Sequence, residues 1–183
     1  MEKTILRCPA LCMRPLAEQD IAAILKYASA PEIAANTFVP HPYPPEAAHE
    51  FVQKASEAWR SEQDYTFAII EAQSDSFAGV MGIHPVQEHQ RAEVGYWIGL
   101  PFWGRGLATQ ALRLLIRFGF EKLGLNRIAA GHFAGNSASG RVMQKAGMRC
   151  EGTRRAYHYH RDSFKDSVWY AILRDEYEAD RTH

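Results

Sequence analysis

At 183 residues, with 46% hydrophobic and 23% charged positions, the chain has the length of one domain and the composition of a soluble globular protein, which excludes a fibrous or disordered chain. Lys plus Arg and Asp plus Glu number 21 each, so no global field draws the molecule to nucleic acid or to an anionic membrane, and any charged substrate has to be recognised locally. Cys8, Cys12 and Cys150 are odd in number and lack CxxC spacing, which argues against a disulfide framework or a zinc cluster and for apolar thiols in a reducing compartment.

The opening MEKTILRCPALCMRP is broken by charges and by Pro9, so it lacks a signal-peptide core. No later stretch approaches the roughly 18 apolar residues of a membrane span, and a cytoplasmic protein is expected. Leu11, Met13 and Leu16 around Arg14-Pro15 read as a first strand ending in a turn. Ile21, Ile24, Leu25 and Ala28 give Glu18–Ala30 a helical spacing, which Pro31 is expected to close. Asn36–Pro45, with four prolines and with Phe38, His41 and Tyr43, reads as an ordered aromatic loop suited to a substrate lid. A second helix is predicted over Glu46–Trp59, just after Pro44-Pro45.

Tyr65–Glu71, Phe77–His84 and Ala92–Ile98 then read as strands of an antiparallel meander. Gly106–Leu123 is the longest helical pattern, with Leu107, Ala111, Leu114, Leu115 and Phe118 on one face and Gly124 as its stop. Arg127–His132 is a short strand, Asn136–Ala146 is helical and ends at Gly147, and Met148–Leu173 supplies two more strands before a charged C-terminus. The order predicts an α+β fold with a mixed sheet and one strand-helix-strand unit, without repeats or linkers.

The most informative stretch runs from Val94-Gly95-Tyr96-Trp97-Ile98 through Gly99-Leu100-Pro101-Phe102 to Trp103-Gly104-Arg105-Gly106-Leu107-Ala108-Thr109: a strand, a glycine-bearing loop and a helix start. The first N–H groups of a helix lack internal partners and carry the positive end of its dipole, so they bind phosphate. Gly104 and Gly106 let the backbone approach an anion, and Arg105 adds a charge. A P-loop would need Gly-Lys-Ser/Thr, and a dinucleotide fingerprint would need glycine where Thr109 stands. A bare GxG also fits a simple strand-helix turn.

This stretch resembles the acetyl-CoA loop of the GNAT N-acetyltransferases. The family pattern begins with Gln or Arg where this chain has Pro101, a departure shared with the branch that includes the RimJ and RimL ribosomal-protein acetyltransferases, in which proline precedes an aromatic-Trp-Gly-Lys/Arg-Gly run. Asn136-Ser137-Ala138-Ser139, the run Val142-Met143-Gln144-Lys145-Ala146-Gly147-Met148, Glu151-Gly152, Arg155, Asp166, and at the front Leu11–Leu16 with Asp20 resemble the same branch. The resemblance implies a single GNAT domain over residues 8–175, with a mixed central sheet of about six to seven strands and about four helices.

It implies acetyl-CoA as co-substrate, without a metal. The backbone of Trp103, Gly104, Arg105, Gly106, Leu107 and Ala108 would hold the pyrophosphate, Ile98 and Leu100 the pantetheine arm, and Asn136 the other side of that arm. Glu93 is the general base that the resemblance prefers, acting directly or through water, because the branch often has an acidic residue before its Gly-Tyr-Trp and other members use this strand for bases; partial burial can raise a carboxylate's pKa towards neutrality, as the role requires, and pairing with an arginine is the structural alternative. His84, His132, Tyr157 and His158 are other proton acceptors, each also compatible with packing or solvation. Many members place a tyrosine where this chain has Met143, which donates no proton, so Ser139 is the expected partner of the CoA sulfur, with helix capping as its alternative. A backbone N–H near Ile98 would meet the oxyanion.

His158-Tyr159-His160 has alternate side chains on one strand face but no evident third metal ligand. Phe38, Tyr43, Tyr157 and Tyr159 are candidates for the acceptor pocket. The implied reaction is direct acetyl transfer in a ternary complex to a primary amine, either a peptide N-terminus or a small molecule. The competing reading is a non-catalytic acetyl-CoA sensor or assembly module. A homodimer is compatible with either.

Overall fold

The computed structural model describes residues 4–180 and is organised around one eight-stranded sheet. Strands β1 (Leu6–Cys8) and β2 (Leu11–Pro15) form a hairpin, followed by helices α1 (Ile21–Ala28), α2 (Pro31–Asn36) and α3 (Pro45–Arg60). The meander β3 (Tyr65–Glu71), β4 (Ser76–Val86) and β5 (Arg91–Ile98) leads into α4 (Leu107–Glu121) and β6 (Arg127–Phe133). Helix α5 (Ser137–Lys145), the hairpin of β7 (Arg149–His160) and β8 (Ser163–Leu173), and α6 (Arg174–Asp180) complete the described chain. The spatial order is β1-β2-β3-β4-β5-β6-β8-β7. β5 and β6 are parallel, as the α4 crossover between them requires, and the other neighbours are antiparallel.

Helices cover both faces of the sheet, and the strand sequences show why. β3 is buried along its whole length, with Tyr65, Phe67 and Ile69 in one core and Ala68 and Ile70 in the other. Alternate residues of a strand point to opposite faces, so an apolar run without alternation needs cover on both sides. On the first face α4 lays down Leu107, Ala111, Leu114, Leu115 and Phe118, the stripe that its periodicity predicts. On the second face Ile24 of α1, Ile33 of α2 and Val52 of α3 close over Ala68, Val80 and Trp97.

The count of eight strands and six α-helices among the described residues exceeds the expected six to seven and four. The additions are short or polar: β1 has three residues, α2 has six, and α6 is the charged segment expected only as a tail. Pro31 does not close the first helix. It opens α2 at a first-turn position, where the missing N–H has no helical acceptor to lose. Cys150, expected among buried thiols, is exposed because β7 is the outer strand of the sheet. No helix among the described residues is long and apolar enough to cross a membrane.

Several motif residues are structural. Asp20, nearly fully buried, receives both Arg14 Nη groups at 2.8 and 2.7 Å and the Ala17 N–H at 2.9 Å, which joins β2 to the start of α1. Glu151 is paired with Arg127 across the sheet, with one oxygen at 2.6 Å. Asp166 accepts the Ala156 N–H at 2.7 Å, holding the irregularity in β7 at which Ala156 has φ +49°.

Candidate active site

β5 and β6 pair only from Arg91–Val94 against Arg127–Ala130. Beyond those residues β5 continues to Ile98 beside β4 alone, and β6 continues to Phe133 beside β8 alone. The two parallel strands therefore part in mid-sheet, and the backbone edges of Gly95–Ile98 and Gly131–Phe133 face a gap. Such edges offer unpaired N–H and C=O groups to an extended ligand.

The glycine loop stands at the end of β5. Residues Leu100–Phe102 make one 3-10 turn, and Gly104 and Gly106 follow with φ +74° and +76°. A Cβ built on either glycine meets nothing within 4 Å, so the need for glycine is conformational: the left-handed region strains any residue with a side chain. Gly106 is the N-cap of α4, whose first helical bond is Gln110 N–H to Gly106 O at 3.2 Å. The preceding N–H groups of that turn lack helical acceptors and form an anion cradle.

Two details differ from the sequence expectation. The Trp103 N–H donates to Leu100 O at 3.1 Å, and its indole Nε1 donates to Ile98 O at 2.5 Å, so Trp103 braces the loop with groups that are already committed. Arg105 Nη2 lies 2.6 Å from Oε1 of the buried Glu71 on β3, which offsets the charge that Arg105 was expected to add to the phosphate site. With Arg105 paired, the donors left open at the start of α4 are its backbone N–H groups. Ile98 and Leu107 are buried and Leu100 packs against the second core, so these residues shape the walls.

Across the gap, Asn136 is the N-cap of α5, its side chain accepting the Ser139 N–H at 3.3 Å. Ser139 Oγ lies 2.7 Å from the hydroxyl of Tyr96 on β5, a contact between residues 43 apart in sequence. Met143, where a tyrosine was the alternative, is fully packed in the core. Tyr96 is the residue that sequence reasoning missed. Its only signal was its place in Gly-Tyr-Trp, on the strand face shared with Val94 and Ile98. Burial pushes its pKa up to about 12, with the Ser139 hydrogen bond opposing.

The opposite face of the split opens into a cavity of about 620 Å³. Its walls include Glu93, Gly95, Trp97, Gly131, Phe133 and Trp169. Glu93 is half exposed and 3.4 Å from Arg91, so it lacks the burial expected of a desolvated base. His84, also half exposed, is paired with Asp64 at 3.0 Å. His132 is buried, with Nδ1 2.8 Å from Phe133 O and Nε2 unpartnered. His158 lines the cavity, and its pKa is lowered by burial and then by Arg154, with Glu93 acting against both.

The expected lid lies over this cavity. Phe38 packs edge-on against Phe133, His158 and His160 at 5.5, 5.0 and 5.8 Å, and His160 Nε2 is 3.0 Å from Thr37 O, anchoring the loop to β7. Phe38 and Tyr43 line the cavity. Tyr157 stands beside it, half exposed, its hydroxyl accepting Arg154 Nη1 at 2.9 Å. Tyr159 instead packs on Phe164 at 5.2 Å near the β7–β8 turn.

The strand split thus has a glycine-braced helix start on one side and a cavity lined by aromatic and histidine side chains on the other. Residues 10–149 match the family model described as an acetyltransferase (GNAT) domain. The chain belongs to the GNAT acetyltransferase family. It is 30% identical over 171 residues to the N-acetyltransferase YoaA of Bacillus subtilis, covering 93% of this chain and 97% of that protein. Among solved structures, RimL, a ribosomal L7/L12 α-N-protein acetyltransferase, superposes with TM-score 0.83 at 20% identity over 93% of this chain and 94% of its own. RimJ of Mycobacterium smegmatis, in complex with CoA-disulfide, gives TM-score 0.83 at 24% identity over 95% and 88%. The GNAT chain is therefore an N-acetyltransferase with the mixed α+β fold that its motifs implied.

Proposed function

We propose that this GNAT enzyme transfers the acetyl group of acetyl-CoA directly to a primary amine, with a protein or peptide N-terminus as the leading acceptor class and small amines as the other. The observation that carries the proposal is the parting of β5 and β6, with the amide cradle and the cavity on its two sides. The pyrophosphate would rest on the amides of Gly104, Arg105, Gly106, Leu107 and Ala108, and the pantetheine arm would run between Ile98 and Asn136. The unpaired backbone beside Ile98 would place an N–H at the thioester oxygen, a fixed donor that needs no reorganisation as charge develops.

The acceptor would enter from the cavity and attack the thioester carbon. The N–C bond forms from the amine lone pair, the C–S pair leaves on sulfur, and the amine's proton passes through water to Glu93. Ser139, on the other wall, would direct its hydroxyl at the leaving sulfur. The acceptor preference is supported by the RimL likeness and by the aromatic lid residues Phe38 and Tyr43 over the cavity. One residue-sized amine terminus fits such a pocket while the rest of a peptide stays in solvent.

The deciding experiment is thiol release from acetyl-CoA with peptides beginning Ser, Ala or Thr, set beside polyamines, amino acids and aminoglycosides. Release with the peptides and not the small amines is the expected result. Release with one small-amine class alone would replace the peptide acceptor, and silence with CoA binding confirmed would favour a sensor role.

A further inference from the structure

Tyr96 is a partly buried phenol to which the proposed reaction gives no role. It stands on β5 two residues beyond Val94, the last residue paired to β6, and its hydroxyl crosses to Ser139 on the first turn of α5 at 2.7 Å. We propose that Tyr96 is a positioning residue for acetyl transfer, donating its hydrogen bond to Ser139 Oγ so that the serine's single proton is left for the cofactor sulfur. The proposal rests on the reading of Ser139 as the partner of that sulfur.

The hydrogen count carries the argument. Serine and tyrosine hydroxyls each have one proton, and the 2.7 Å contact can run in either direction. Were Ser139 the donor, its proton would be spent on Tyr96 and none would remain for sulfur. With Tyr96 as donor the serine oxygen is satisfied and its proton is free. The other acceptor within reach of Tyr96, the Ser139 carbonyl oxygen, lies at a longer 3.4 Å, so the Oγ is the better target.

The acidity of the phenol separates positioning from proton donation. At a pKa of about 12, Tyr96 stays neutral at working pH, and handing its proton to a thiolate whose thiol titrates near about 8.5 would run uphill. What it supplies is orientation and a chain of two hydrogen bonds, Tyr96 to Ser139 to sulfur, that strengthens as negative charge gathers on the leaving atom. The first turn of α5 adds the positive end of a helix dipole. The arrangement accounts for the packed Met143: the phenol comes from the strand wall of the groove, and the helix wall contributes only the serine.

Tyr96→Phe keeps the ring and its packing while removing the donor, and Ser139→Ala removes the acceptor. The expected result is a fall in kcat of about tenfold for Tyr96→Phe, the loss of one hydrogen bond, with the acetyl-CoA KM within about twofold of the parent. In the Ser139→Ala background the same change should cost almost nothing, because the two hydroxyls act as a unit. Thermal melting of each variant reads folding separately. A kcat unchanged in Tyr96→Phe but reduced in Ser139→Ala overturns the positioning role and keeps the serine. An unchanged kcat in Ser139→Ala overturns the reading of the serine itself. Costs that add in the double variant, or a rise in KM alone, mark Tyr96 as a packing residue and overturn the proposal.

Discussion

Glu93 and His158 line one cavity and feel each other's charge, and either could take the proton of the attacking amine. The exposure of Glu93 means that it would work through solvent, with water between its carboxylate and the amine. Burial and Arg154 hold His158 towards its neutral form, the form that accepts a proton. General-base catalysis contributes roughly 10²-fold or more. Glu93→Gln is accordingly expected to lower kcat about 100-fold and to abolish the acid limb of the kcat profile, since that limb reports protonation of the base. A variant that keeps both its rate and its acid limb would transfer the role to His158. A stopped-assay pH series on the parent and the variant settles the matter.

At the scale of the element, the junction of β5 and α4 is held from three directions: the Trp103 indole on Ile98 O, Arg105 on Glu71, and left-handed backbone at two glycines. A valine at position 104 would retain the surrounding space but not the φ of +74°, at a cost of about 1–2 kcal/mol. For a chain of this length the melting temperature should drop by roughly 2–8 °C. The acetyl-CoA KM should rise at least about tenfold, because the amides proposed to hold the pyrophosphate would turn away together. Equilibrium melting and initial rates check the two halves of this expectation, and an unmoved KM would show that the cradle is not where the cofactor binds. The motif residues Asp20, Glu151 and Asp166 belong to a different class: their carboxylates fasten parts of the fold to each other.

For the whole molecule, the lid and the outer hairpin meet at the cluster of Phe38, Phe133, His158 and His160, so protonation there acts on stability. The pKa of His158 in the folded protein lies below its ordinary value of about 6.5. Between that value and the folded one the unfolded chain binds a proton that the folded chain refuses. Stability therefore falls as pH drops through this window and is fully present above it. Urea unfolding at pH 7.5 and 5.5 should show this loss in the parent and a smaller loss in His158→Gln. Equal losses would place the acid sensitivity elsewhere.

The order of the main elements, the α4 stripe and the glycine loop were legible in the sequence, because each rests on local rules: side-chain periodicity, the special φ of glycine and the unpaired amides of a helix start. β1, α2 and α6 were not, being too short or too polar for periodicity to register, and Pro31 serves one helix's start as readily as another's end. Family membership followed from several spaced motifs in one order. What only the tertiary structure decided is which side chains meet: Tyr96 with Ser139, Arg105 with Glu71, and the lid with β7. Such contacts depend on strand register and on how far two parallel strands run together before parting, and both are fixed by packing across the sheet. A sequence states that Glu93, Tyr96 and Ser139 are present; the parting of β5 and β6 determines which of them face the groove and which face the cavity.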